Sequence, residues 1–326
     1  ISLNFGVVAM KIVFMGTPDF AACSLEALKE YSDIALVVTQ PDRPSGRGYK
    51  LTPPPVKKVA QKYGLNVIQP ERVGTSDIID KLREINPDAI VVVAFGQKIP
   101  QEILNIPALG CINLHGSLLP KYRGAAPIQR AIMNGDSVTG LTTMLMDEGW
   151  DTGDMFLKCE VPIELEDTAG TLHDKMKEEG AKLLVKTLEK LQNKEIEPIQ
   201  QDHKQATYAQ KITKKDQIVT WDRSAKEVYN HIRALLPWPG VKFIHNGKGV
   251  SLASVSLGMS KISSQENIIP GTVVEVTDDW FEIACKEETI RVGTIKPDGS
   301  RFLTIKEYIN GYNLRKGQQL EPISEK

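Results

Sequence analysis

The 326-residue sequence is poor in cysteine, in aromatic residues and in long apolar runs, and each shortage removes a class of protein. Its four cysteines (Cys23, Cys111, Cys159, Cys285) form no CxxC pair. That excludes a disulfide-stapled secreted scaffold, argues against a structural zinc site and points to a reducing compartment. The longest apolar run, Ala89–Phe95, is far short of the ~20 residues needed to cross a bilayer. No GxGxxG fingerprint is present; the first strand-like run ends in Gly16-Thr17-Pro18-Asp19-Phe20, where Pro18 removes a backbone donor, so a nucleotide-dependent oxidoreductase fails. With 41% hydrophobic and 25% charged residues the chain is neither disordered nor fibrous. A soluble, cytoplasmic protein is expected. It is also expected to be a monomer, since no coiled-coil pattern demands a partner.

What is present is organised in segments. The uncharged Ile1–Ala9 is too short for a secretory signal, so Met10 is taken as the natural start. Net charge is −1, made of −4 over residues 1–200 and +3 over residues 201–326. The densest basic stretch runs from Asp42 to Lys62 and carries Arg43, Arg47, Lys50, Lys57, Lys58 and Lys62. A second cluster is Lys204, Lys211, Lys214 and Lys215. Such segments can hold a polyanion through phosphate contacts, but on charge alone the favoured reading is solvated, lysine-bearing surface.

From Met10 to Gln192, apolar strand-like runs alternate with helical segments. Strands are expected over Lys11–Gly16, Ile34–Thr39, Val67–Gln69, Ala89–Phe95, Leu109–His115 and Leu141–Met146. Helices are expected over Phe20–Tyr31, Val56–Tyr63, Ser76–Ile85 (capped by Ser76), Ala126–Asn134 and Thr168–Gln192, with Gln40–Pro55 a loop. This alternation predicts an α/β fold with a doubly wound, mostly parallel sheet. The polar stretch Asn193–Lys215 reads as a linker. Beyond it, a helix at Ser224–Leu236 leads into short strands (241–245, 250–255, 271–276, 280–285 and 289–295) separated by turn signals such as Asn246-Gly247. Five such strands fit a smaller OB-like β-barrel domain.

Open α/β sheets bind ligands beyond the carboxyl ends of their strands. At the end of Leu109–His115, Asn113 and His115 are two residues apart and share one face, with Ile112 and Leu114 on the other. An amide and an imidazole projecting together can donate two hydrogen bonds to one developing oxyanion; the plain alternative is a pair of satisfied polar residues at a strand end. The acidic loop Asp147–Asp154 follows the next strand. Asp151 lies between two glycines and could hold the imidazole oriented and protonated. Spacing alone does not choose among Asp147, Glu148, Asp151 and Asp154.

Three separated stretches carry a resemblance. Asn113-Leu114-His115-Gly116-Ser117-Leu118-Leu119-Pro120, then Arg123-Gly124-Ala125-Ala126-Pro127, then Met146 through Asp154 resemble the signature of the folate-dependent formyltransferases. The match extends from Met10 nearly to the end and includes the loop Gln40–Gly48, Trp221-Asp222 and Pro237-Trp238-Pro239. It is strongest to the branch acting on aminoacylated initiator tRNA.

The resemblance implies transfer of a formyl group from 10-formyltetrahydrofolate, a co-substrate, to the α-amino group of methionyl initiator tRNA, for translation initiation. It implies Asn113, His115 and Asp151 as the catalytic set, Ser117, Leu118, Leu119 and Pro120 at the folate site, and no metal. The basic loop would contact tRNA through Arg47, with Arg43 and Lys50 as further candidates. It also implies residues 10–192 as the catalytic domain, 193–215 as linker and 216–322 as an OB-like tRNA-binding domain. Phe95, Gly96 and the Leu118–Pro120 turn are expected to form the apolar slot for the pterin. The competing readings are a formyltransferase acting on a sugar-nucleotide or purine-precursor amine, and a non-catalytic tRNA-binding protein on the same scaffold. The basic loop and the second domain argue against the first, and the intact Asn113, His115 and Asp151 against the second.

Overall fold

The structure, a computed structural model, describes residues 9–45, 50–260, 262 and 267–322. The expectations placed on Arg47 and on the residues before Ala9 lie outside the described residues. The chain folds as two units: the first runs to Gly124 and resumes over Val138–Pro162 and His173–Tyr208, and the second takes Ala125–Ser137, Ile163–Leu172 and the chain from Ala209 onward.

The chain opens with β1 (Met10–Gly16), α1 (Asp19–Leu28) and β2 (Ser32–Val38). A short hairpin, β3 (Arg43–Ser45) and β4 (Lys50–Thr52), lies inside the stretch expected as loop. Then come α2 (Pro55–Lys62), β5 (Val67–Ile68), α3 (Ser76–Ile85), β6 (Ala89–Val93), α4 (Gln101–Leu104) and β7 (Cys111–His115). α3 starts at Ser76, but its N-cap is Thr75, which makes no side-chain capping bond. α5 (Pro127–Met133) lies in the second unit; β8 (Val138–Leu145), β9 (Met155–Pro162) and α6 (Ala169–Gln192) follow.

The first unit's sheet has the order β5-β2-β1-β6-β7-β8-β9. Pairing is parallel from β5 to β7, and antiparallel for β7–β8 and β8–β9. The expected mostly parallel α/β sheet is therefore present. All five residues of β6 are buried, as its unbroken valine-rich run requires of a strand covered on both faces. On β7 the alternation divides as expected. Leu114 turns toward α6 at Gly180, where a Cβ would come within 2.8 Å of Leu114 Cδ2. Asn113 and His115 take the opposite face.

The antiparallel step matters for the site. Leu145, the last residue of β8, pairs with Ile112 near the start of β7. The acidic loop thus leaves the sheet level with the beginning of β7 and folds back over the face that carries Asn113 and His115. Part of the stretch 193–215 also belongs to this unit: Ile199 and Met155 exchange two backbone hydrogen bonds of 2.8 Å, and Thr207 O accepts from Arg123 N at 2.9 Å.

In the second unit, α7 (Ala225–Arg233) begins with a capping box: Ser224 Oγ accepts from Glu227 N, and the Glu227 carboxylate accepts from Ser224 N. Beyond it lie β10 (Val241–His245), β11 (Lys248–Leu257), β12 (Val273–Val276), β13 (Phe281–Ala284), β14 (Thr289–Pro297), β15 (Leu303–Thr304), α8 (Ile305–Tyr312) and β16 (Glu321–Pro322). The main path of the sheet is β12-β13-β14-β11-β10-β16. Its ends approach each other: Val273 N donates to Gln318 O and Gly317 N to Val273 O, both at 2.8 Å, and Thr272 bridges Gln319. The antiparallel sheet curls around a core containing Trp221, Phe243, Phe281 and Tyr308, in agreement with the OB-like expectation. The Asn246-Gly247 turn, with φ of 50° and 73°, has the left-handed pair that a two-residue hairpin favours.

Candidate active site

Asn113 is half-buried on β7, and its side-chain amide makes no hydrogen bond among the described residues. It lines a cleft with about 670 Å³ of empty space, partly open to solvent. Residues 92 and 94–99, at and after the end of β6, form one wall; Met144, Met146 and Asp147–Asp151 form another. Ala94 and Gly96 have φ of 44° and 87°, which turns the chain sharply after β6 and brings its backbone to the cleft. Phe95 O is held in place by Thr17 Oγ1 at 2.9 Å and by Gln40 Nε2 at 3.3 Å.

His115 is 6% exposed and is not among the cleft-lining residues. Its Nε2 lies 2.9 Å from Tyr122 O. Because a carbonyl only accepts, Nε2 carries the hydrogen. Its Nδ1 lies 3.5 Å from Asp151 Oδ1, longer than a formed hydrogen bond. The second carboxylate oxygen of Asp151 accepts from Gly124 N at 2.8 Å. Asp151 sits in the left-handed region at φ 56°, and its carbonyl accepts from Gln201 Nε2 at 2.9 Å.

The other carboxylates of the loop are otherwise engaged or directed. Asp147 accepts from Thr152 Oγ1 at 2.7 and 2.8 Å and from Gly149 N at 3.0 Å, which closes the turn. No hydrogen bond or ion pair joins Glu148 or the Asp154 carboxylate to His115 among the described residues. Asp151 is therefore the carboxylate that meets the imidazole.

The chain matches known proteins along most of its length. Residues 10–188 match the formyl transferase family model, and residues 211–313 match that of the formyl transferase C-terminal domain. The chain belongs to the formyl transferase family. A methionyl-tRNA formyltransferase from Caldicellulosiruptor saccharolyticus is 47% identical over 314 residues, covering 95% of this chain and 100% of the relative. Another from Acetivibrio thermocellus is 45% identical, covering 95% and 99%. Among solved structures, an N-formyltransferase from Helicobacter canadensis, in complex with folinic acid and dTDP-3-aminofucose, shares the fold with a TM-score of 0.65. It is 21% identical, over 87% of this chain and 99% of that one. HypX from Aquifex aeolicus, in complex with tetrahydrofolic acid, has a TM-score of 0.63 at 18% identity over 94% of this chain. The present chain spans about half of HypX, 48% of its length.

In this formyl transferase the expected residues separate into groups. Asn113, Phe95, Gly96 and Asp151 meet at the cleft, with His115 in contact with Asp151. Ser117, Leu118, Leu119 and Pro120 are not among the residues lining that cleft. Their turn packs on β8 and β9 instead: Ser117 Oγ donates to Lys121 O at 2.6 Å, Thr142 Oγ1 donates to Ser117 O at 2.7 Å, and Lys158 Nζ donates to Leu119 O at 2.5 Å. Burial pushes the Lys158 ammonium below its ordinary pKa. No motif or periodicity marks Gln201, which lies in the polar stretch expected as linker.

The basic loop is less free in charge than its composition suggests. Arg43 pairs with Glu71 at 2.8 Å, Lys57 with Asp42 at 2.8 Å and Lys62 with Glu26 at 3.0 Å. Hydrogen bonds from Gln69 and then from Lys57 hold the Asp42 carboxyl below its usual range. Lys50 and Lys58 are exposed and make no ion pair among the described residues. No helix of the described residues is long and apolar enough to cross a membrane.

Proposed function

We propose that this chain transfers the formyl group of 10-formyltetrahydrofolate to the α-amino nitrogen of methionyl initiator tRNA. One observation carries the reading: an unpartnered amide, Asn113, and the carboxylate that meets His115 share one cleft. The names of full-length relatives support the same acceptor, and the folate-bound fold neighbours support the same donor.

The cleft suits a flat pterin-bearing donor. Its lining mixes apolar Val92, Phe95, Ile99 and Met144 with a few polar groups that can orient a ligand. When bound, the donor supplies an electrophilic formyl carbon. Asn113 donates a hydrogen bond to the formyl oxygen as negative charge develops there. His115 joins from Nδ1 in its doubly protonated form, held by Tyr122 O at Nε2. The long contact to Asp151 leaves that Nδ1–H available to a substrate oxygen, and such contacts often tighten only in the complex. Asp151 keeps the imidazole oriented and takes up the proton that the attacking amine loses, which passes to N10 of the folate as the bond between N10 and the formyl carbon breaks.

Residues 10–192 act as the catalytic domain in this reading, 193–215 as linker, and 216–322 as the tRNA-binding domain. In this reading Ser117–Pro120 belong to the folate site, and Arg43, Arg47 and Lys50 contact tRNA phosphates. The test is a radiolabelled formyl-transfer assay with 10-formyltetrahydrofolate and two acceptors, methionyl initiator tRNA and an amino-sugar nucleotide. Label entering the tRNA is expected. Label entering only the amino sugar overturns the reading.

A further inference from the structure

We propose that Gln201, itself set by Arg123, is a positioning residue that holds Asp151 in line with His115; the proposal rests on the role given to Asp151 above. The left-handed backbone of Asp151, φ 56°, is uncommon outside glycine, and such a conformation persists only where the surroundings over-determine it. Gln201 supplies that determination. It is 3% exposed, and its Nε2 donates to Asp151 O at 2.9 Å and to Gly153 O at 2.7 Å. Both carbonyls flanking the turn are held by one amide group.

The opposite end of the amide is equally committed. Gln201 Oε1 accepts from Arg123 Nε at 3.1 Å and from Arg123 Nη2 at 2.7 Å. Carbonyls only accept and a guanidinium only donates, so this amide has one allowed orientation. Arg123 is 3% exposed and pairs with no carboxylate among the described residues. Its further bond is to His203 Nδ1 at 3.0 Å, which must act as acceptor. A buried guanidinium without an acidic partner is costly to keep. Here it fixes Gln201, and its chain neighbour completes the clamp: Gly124 N holds the Asp151 carboxylate at 2.8 Å while Gln201 holds the Asp151 carbonyl. Neither Arg123 nor Gln201 lines the cleft, so both act through Asp151.

Gln201→Glu separates positioning from folding. It keeps an acceptor for Arg123 and turns the donor facing the Asp151 and Gly153 carbonyls into an acceptor. Expected at neutral pH is an unchanged melting temperature, KM values for donor and tRNA within about twofold, and kcat reduced about 10- to 100-fold, as a misplacement near 1 Å produces. If Gln201→Glu does not fold, Gln201→Met, which keeps the volume and removes the donor, is read in its place. Each is also combined with Asp151→Asn. The substitution at position 201 is then expected to cause no further loss, because its route of action is gone. Near-normal kcat for the position-201 variants beside a crippled Asp151→Asn overturns this proposal alone. An undiminished further loss in the Asp151→Asn background does the same, since Gln201 then acts elsewhere. Near-normal turnover of Asp151→Asn itself overturns the role of Asp151 and this proposal with it.

Discussion

Replacing Asn113 is the cleanest perturbation of the site, because its side chain contributes little to the fold. The amide is half-buried on β7 and has no hydrogen-bond partner among the described residues. Its removal strands no buried group, so Asn113→Ala is expected to cost less than about 1 kcal/mol of stability. If the amide donates to the developing oxyanion, its loss costs roughly 2.7–4 kcal/mol of transition-state binding, about 10²–10³ in kcat. The contact strengthens as the charge develops, so kcat and kcat/KM should fall together. His115→Ala gives a mixed result by contrast, since it also removes the 2.9 Å bond to Tyr122 O and empties a buried position. Asn113→Asp adds a second arm: it keeps the shape and replaces the donor with an anion, so it should be at least as impaired as the alanine variant. The assay pairs steady-state formyl transfer with a thermal melt. Turnover within about threefold of the parent, or a fall in melting temperature that accounts for the lost activity, refutes the oxyanion role.

Two further predictions concern the basic loop and the second unit. Lys50→Ala should lower the salt slope of tRNA binding by about one, as loss of one phosphate contact does. Lys57→Ala should leave that slope unchanged, because its ammonium is held by Asp42 at 2.8 Å; binding measured from low to moderate salt decides, and equal slopes for both variants sink the distinction. Burial alone would raise the Glu282 carboxyl, but hydrogen bonds from Thr289 and Arg291 and from Met259 N bring it down to about 2. A depressed folded-state value means that its stabilisation is complete above the ordinary carboxylate pKa and fades as pH falls from about 4.5 to about 2. Glu282→Gln should therefore destabilise the protein at neutral pH by on the order of 3 kcal/mol. That gap should close through the same acid range in urea titrations, and a gap independent of pH refutes the assignment.

How far the fold could be read from sequence follows from how local each signal is. β6 is a continuous apolar run, and the hairpin at Asn246-Gly247 announces its turn, so both were legible. β9 was not: Met155–Pro162 carries Lys158 and Glu160 on its exposed side and follows an acidic loop, and it becomes a strand by pairing with β8. α8 escaped because it is short, although Thr304 and Glu307 spell a capping box. The antiparallel order of β7, β8 and β9 depends on pairings across the sheet that no periodicity encodes.

The choice of carboxylate shows why part of the site stayed hidden. Asp147, Glu148, Asp151 and Asp154 are equivalent in spacing, and the resemblance, not the physics of the loop, pointed to Asp151. In the folded chain the difference is one of backbone. Asp147 folds back on Thr152 and Gly149 and builds the turn. Asp151 takes a left-handed conformation that turns its carboxylate toward His115 and Gly124. That conformation is held from a glutamine 50 residues away in sequence, whose partner is the arginine beside Gly124. The hydrogen bond on the backbone of this aspartate therefore comes from a distant part of the chain. A reading confined to the loop reaches four carboxylates and has no physical basis for ranking them.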